Sequence, residues 1–103
     1  MHNKTVILER FAPFKSVLAE TDAVFVIYPS NRGGYNIQCI PVSAENNESK
    51  LPFPESWCGK EGEDLQSESG YKSIRFVHKS GFIASANEFE EAVKIAADLV
   101  QSM

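Results

Sequence analysis

Apolar residues along the chain fall into short separated runs, and their periods predict a small α+β domain. Thr5-Val6-Ile7-Leu8 is β-branched and apolar, the composition of a strand. Pro13 suits the first turn of a helix, where its missing N–H costs nothing. Phe14, Val17, Leu18 and Thr21 then recur at helical spacing, so a short helix is expected over about 13–21. Ala23 to Tyr28 is apolar at every position, which predicts a strand covered on both faces and placed inside a sheet. Pro29-Ser30-Asn31-Arg32-Gly33-Gly34 reads as a turn, because Asn and Gly tolerate positive φ. The strand-like run Tyr35–Val42 follows and closes a hairpin.

The second half is less regular. Residues 43–60 form a long connection that is polar as far as Ser49. Beyond it Leu51, Phe53 and Trp57, stiffened by Pro52 and Pro54, call for burial, so this stretch is expected to fold back across the sheet. Residues 61–70 predict one or two helical turns, and Ile74–His78 a strand. A short apolar segment after Gly81 leads to the clearest helix, with Asn87 as N-cap, Glu90 completing a capping box, and a stripe of Phe89, Ala92, Val93, Ala96, Val100 and Met103. The expected fold is α+β: a mainly antiparallel sheet of about four strands with two to three helices packed on it, one domain over residues 1–103.

Composition narrows the partners. A chain of 103 residues fits one compact domain. Its formal net charge of −4 provides no basic face for duplex nucleic acid, yet leaves room for a small nucleotide or a local phosphate site. The two cysteines, Cys39 and Cys58, match no zinc-ligand spacing and read as reduced thiols. The amino terminus, with His2 in an expected frayed end, lacks the apolar run of a signal peptide, and the longest apolar run is too short to cross a bilayer. The expectation is a cytoplasmic protein without membrane contact.

Candidate chemistry gathers where Phe76-Val77-His78-Lys79-Ser80-Gly81-Phe82-Ile83 ends a strand. By strict alternation His78 shares a face with Ile74 and Phe76, so it is either a packed histidine or a ligand contact. A general base needs an orienting carboxylate, and no sequence neighbour supplies one. Ser80 lacks the G-x-S-x-G context of a nucleophile elbow and reads as a turn residue or a phosphate contact. Gly81 permits the turn. Arg32, before Gly33-Gly34, either pairs with an anion beside exposed backbone N–H groups or sits in a plain hairpin turn. Trp57 either stacks on a base or anchors its loop in the core. Glu88, Glu90 and Glu91 crowd the start of the last helix and repel phosphate. With two histidines and with Asp22, Asp64 and Asp98 far apart, no metal-ligand motif exists, and no cofactor is called for.

The ordered set Ile7–Lys15, Val26–Tyr28, Tyr35–Val42, Leu51–Gly59, Ser69-Gly70 and Phe76–Ile83 resembles the carboxy-terminal part of the MYG1 family (UPF0160) over nearly the whole chain. Family members are similar to DHH-type phosphoesterases, whose amino-terminal domain holds the metal ligands, and the family is associated with exonuclease activity on RNA. The resemblance implies the substrate-side half of such an enzyme, non-catalytic alone, with His78, Ser80 and Gly81 contacting a nucleotide or RNA end. It also implies a separate metal-domain protein as partner and a completed phosphoesterase as the alternative role. A structural homodimer is a third possibility.

Overall fold

The computed structural model describes residues 4–10, 12–43, 45 and 48–102. The expected placements of His2 and Met103 lie outside them. Five strands form one mixed sheet: β1 (Thr5–Ile7), β2 (Phe25–Pro29), β3 (Tyr35–Cys39), β4 (Ile74–Val77) and β5 (Ile83–Ala86). Their order across the sheet is β1-β2-β3-β5-β4. β1 runs parallel to β2, and the other three pairs are antiparallel. The helices are α1 (Lys15–Leu18), α2 (Gly62–Ser69) and α3 (Phe89–Gln101), with a single 3₁₀ turn at Glu55–Trp57. The α+β expectation therefore stands, with one more strand than counted and one parallel pair.

Alternation along the strands divides the side chains between two faces. On the first, Phe25, Ile27, Ile37, Cys39, Ile74, Val77, Ala84 and Ala86 form one buried cluster with Leu65 of α2 and with Ala92, Ile95 and Ala96 of α3. The small residues of β5 and α3 face one another there, which lets helix and sheet approach closely. Leu51, Phe53 and Trp57 close the same cluster, as their apolar character predicts, and Phe53 lies 5.5 Å from Phe25 between ring centroids. On the second face Phe14, Ala23, Val26, Tyr28 and Ile40 pack with Val6, Leu8 and Leu18. This smaller cluster covers only β1, β2 and the end of β3.

Three local expectations change. The segment after Gly81 is a strand, not a lead-in to the helix. Apart from Ile83, its residues Ala84-Ser85-Ala86 carry little intrinsic β-propensity, and pairing on both sides makes the strand. Asn87 is not the N-cap of α3: its N–H bonds the Ser73 carbonyl at 2.8 Å, and Glu88 occupies the cap without a side-chain bond. Glu91 reaches across instead, accepting from the Ser73 hydroxyl at 2.7 Å and from the Ser73 N–H. Finally, the connection after β3 turns straight back, with Val42 N–H donating to Glu48 and Lys50 N–H to Ile40. Lys50 Nζ then donates to the carbonyls of Leu18, Thr21 and Ala23, placing a cation at the carboxy-terminal end of α1.

Candidate functional site

The far half of the second face, over β3, β5 and β4, carries no helix among the described residues. Asn36 and Gln38 of β3, Ile83 and Ser85 of β5, and Arg75 and Phe76 of β4 lie along it. A β-bulge explains how two consecutive residues of β4 share this side. Ile74 pairs with Ala86 and Phe76 with Ser85, leaving Arg75 as the extra residue. Alternation from Ile74 is therefore broken: Val77, not Phe76, returns to the closed face. The free edge of β4 is covered, because Gly59 N–H donates to Val77, Val77 N–H to Lys60, and Glu61 bridges Phe76.

Arg75 is the centre of this surface. Its Nη2 donates to the Gly33 carbonyl at 2.8 Å and to the Ser85 hydroxyl at 2.6 Å, while Ser85 is wholly buried. Its Nε is buried without a hydrogen-bond partner. No carboxylate among the described residues forms an ion pair with it; the ion pair found there joins Lys60 and Glu68. The guanidinium is held by close approach of the β2–β3 turn. A β-carbon on Gly34 (φ +71°) would stand 2.6 Å from the Ala86 carbonyl oxygen and 3.3 Å from Arg75 Cζ, so only glycine fits. Arg32, Arg75, Ser30, Asn31, Asn36 and Phe76 line a depression of about 490 Å³ here, with Glu61 and Ile83 at its wall.

A second depression, of about 610 Å³, continues past the end of β3. It is lined by Gln38, Cys39, Pro41, Glu48, Ser49, Pro52, Ser80 and Phe82. Between the two, Tyr28 OH donates to Gln38 Oε1 at 2.6 Å. Burial pushes the Tyr28 phenol up, against an opposing hydrogen bond with Asn36.

The sequence-selected residues are distributed over this geometry unequally. Arg32 joins Arg75, while Ser80 joins Phe82 in the other depression. The turn expected to expose its N–H groups uses two of them internally, since Arg32 N–H donates to Ser30 Oγ and Gly33 N–H to the Ser30 carbonyl. Anion recognition here would fall to side chains. His78 lies beyond β4 and is exposed, so it is not a packed core histidine. Its Nδ1 accepts the Ser80 N–H at 3.1 Å and lies 2.8 Å from Ser80 Oγ. The pair forms a closed local turn. No carboxylate among the described residues hydrogen-bonds the ring. Gly81 (φ +75°) packs under the 51–58 segment, where an added β-carbon would stand 3.0 Å from Cys58 Sγ. Trp57 is 8% exposed and sits 5.9 Å from Tyr71 in the closed core. Arg75 was not singled out from sequence. Its neighbourhood is created by the bulge and the turn, and a lone arginine in a strand shows neither.

No group of three or more His, Cys, Asp or Glu side chains that could hold a metal ion occurs among the described residues. No described helix is long and apolar enough to cross a membrane.

The family model described as "Uncharacterised protein family (UPF0160)", MYG1 exonuclease, matches residues 1–100. The chain belongs to the MYG1 family. It is 38% identical to the MYG1 exonuclease of Rattus norvegicus over 85% of this chain and 23% of that relative. It is 42% identical to the MYG1 exonuclease of Homo sapiens over 70% of this chain and 19% of the relative. With the MYG1 protein of Dictyostelium discoideum the figures are 29% identity, 88% of this chain and 30% of the relative. The chain thus spans less than a third of the length of these MYG1 relatives. No solved structure matches it.

Proposed function

We propose that this chain is a binding module of the MYG1 family that takes a phosphate-bearing ligand, a nucleotide or an RNA end, and performs no phosphoester chemistry alone. The observation that carries the reading is the convergence of Arg32 and Arg75 on one depression, where they outnumber the single carboxylate Glu61 and no carboxylate among the described residues is ion-paired to Arg75. A guanidinium presents several donors in a plane and suits phosphate oxygens. Phe76, 37% exposed at the same wall, offers an apolar ring beside the charge, and Asn36 and Asn31 add neutral donors and acceptors. The relatives' name, exonuclease, supports nucleic-acid ends as the ligand class.

Calorimetric titration with nucleoside monophosphates and a short single-stranded RNA tests the reading. Binding is expected in the micromolar-to-millimolar range. It should weaken at least about tenfold in Arg75→Met, in line with the loss of a charge-assisted contact. Absence of heat and of thermal stabilisation at millimolar nucleotide would overturn it. The same preparation should show no phosphoesterase turnover with manganese or magnesium, and turnover that persists through repurification would contradict the non-catalytic part.

A second reading is favoured by the apolar rings of the open side. Phe76 and Phe82 are 37% and 38% exposed, and Ile83 lines the same depression as Phe76. This surface would then seat a metal-bearing MYG1-family segment and complete a phosphoesterase. Light scattering of the chain mixed with the amino-terminal portion of a MYG1 relative separates the two. A stable 1:1 complex that Phe76→Ser abolishes supports the completed enzyme, and unchanged masses count against it.

A further inference from the structure

We propose that Cys39 and Cys58 form a thiol–disulfide exchange site, which accepts a low-molecular-weight disulfide of the glutathione class and closes into an intramolecular bond. Although 19 positions apart in sequence, both sulfurs lie against Gly81 and the backbone of Phe53. Cys39 Sγ lies 3.5 Å from the Gly81 carbonyl oxygen and 3.3 Å from that of Leu51. Cys58 Sγ stands 3.0 Å from the place of a Gly81 β-carbon, and 3.4 and 3.9 Å from the carbonyl oxygens of Pro54 and Phe53. Phe53 N–H donates to the Gly81 carbonyl at 3.0 Å, joining the two backbone segments that the thiols touch. Both thiols are free.

The two sulfurs differ in a way that orders the chemistry. Cys58 is partly exposed and follows a single 3₁₀ turn, so it meets solvent. Cys39 is buried in β3, and burial pushes its thiol up to about 12, which makes it a poor first nucleophile. Cys58 thiolate attacks one sulfur of the glutathione disulfide, forming the mixed disulfide and releasing one glutathione thiolate. Cys39 then attacks the Cys58 sulfur, gives up its proton, and expels the second glutathione thiolate. One small disulfide is reduced to two thiols, and the two cysteines lose two electrons and two protons.

The product would tie β3 to the 51–58 segment across the turn that carries His78 and Ser80. Cys39, Pro52, Ser80 and Phe82 all line the larger depression, so oxidation would reshape its wall. This inference does not depend on the phosphate-binding reading.

The test is intact-mass spectrometry of the full chain after incubation with oxidised glutathione, followed by peptide mapping. The expected product has lost two hydrogens, carries no glutathione, links Cys39 to Cys58, and melts at least about 5 °C higher than the reduced chain. Cys39→Ser should trap glutathione on Cys58, and Cys58→Ser should leave Cys39 unmodified under native conditions. A glutathione adduct on Cys58 that never resolves in the natural sequence, or a disulfide between two chains, would overturn the proposal. So would modification of Cys39 ahead of Cys58.

Discussion

On one face of the sheet Phe25, Ile27, Ile37, Ala84 and Ala86 are sealed beneath α2 and α3, with Trp57 and Phe53 closing the rim. On the other, Asn36, Gln38, Ser85 and Arg75 line up across β3, β5 and β4 with no described helix above them. The strands are shared, so backbone pairing cannot account for the difference. It lies in alternate side chains, and in one bulge that moves Arg75 and Phe76 together to the open side. The first face holds the larger of the two buried clusters. The second keeps polar groups mutually bonded, as in the Tyr28–Gln38 and Arg75–Ser85 pairs, and leaves a charged group and apolar rings where a ligand can reach them. A chain that needed only to fold would gain by covering that surface.

The comparison breaks most readily at its closed side. Phe25→Ala should cost about 3–5 kcal/mol by urea denaturation, because a wholly buried ring leaves a cavity among Phe53, Ile27 and α3. An equal cost for Phe76→Ala would show that the open side is part of the core. Gly34→Ala comes next, at about 2–3 kcal/mol, since it combines a positive φ with a β-carbon 2.6 Å from a carbonyl oxygen. The same substitution should displace Arg75 and weaken nucleotide binding, which links the turn to the open surface.

These expectations also mark how far the sequence could be read. The all-apolar run at Ala23–Tyr28 announced an interior strand because both faces of β2 are covered, and four of its five residues are buried. Leu51, Phe53 and Trp57 announced a loop that folds back. β5 was hidden because close helix packing demands alanine at 84 and 86, and alanine carries no strand signal. Strict alternation puts Ile74, Phe76 and His78 on one face, and the bulge that separates Ile74 from Phe76 cannot be seen without the partner strand. Arg32 was legible as an anion candidate from its turn. Its companion Arg75 was not, since the two are brought together by the β2–β3 turn lying over β4.

Smaller effects sharpen the account. Glu91 feels burial, which alone would raise its carboxyl. Hydrogen bonds from the Ser73 hydroxyl and N–H and from the Lys72 backbone, with the Lys94 charge, outweigh it and hold the group below its ordinary range. A carboxyl depressed on folding contributes stability that is present above its unfolded value, near ~4.3, and is lost as pH falls through the folded one. Melting temperatures from pH 7 to pH 3 should therefore drop more for the natural sequence than for Glu91→Gln, with the curves converging at the acidic end. Parallel curves would remove Glu91 from the acid response. The smallest effect on stability is expected for Phe76→Ser, within about 1 kcal/mol in denaturant, since the ring is already over a third exposed.

Chemical-shift mapping with an unlabelled nucleoside monophosphate on the nitrogen-15-labelled chain reads the contrast between the faces in one experiment. The account predicts saturable shifts at Arg32, Asn36, Arg75, Phe76 and Ile83, with Ala92, Ile95 and Ala96 of α3 unmoved. Shifts centred on the α3 side, or none up to millimolar nucleotide, would contradict it.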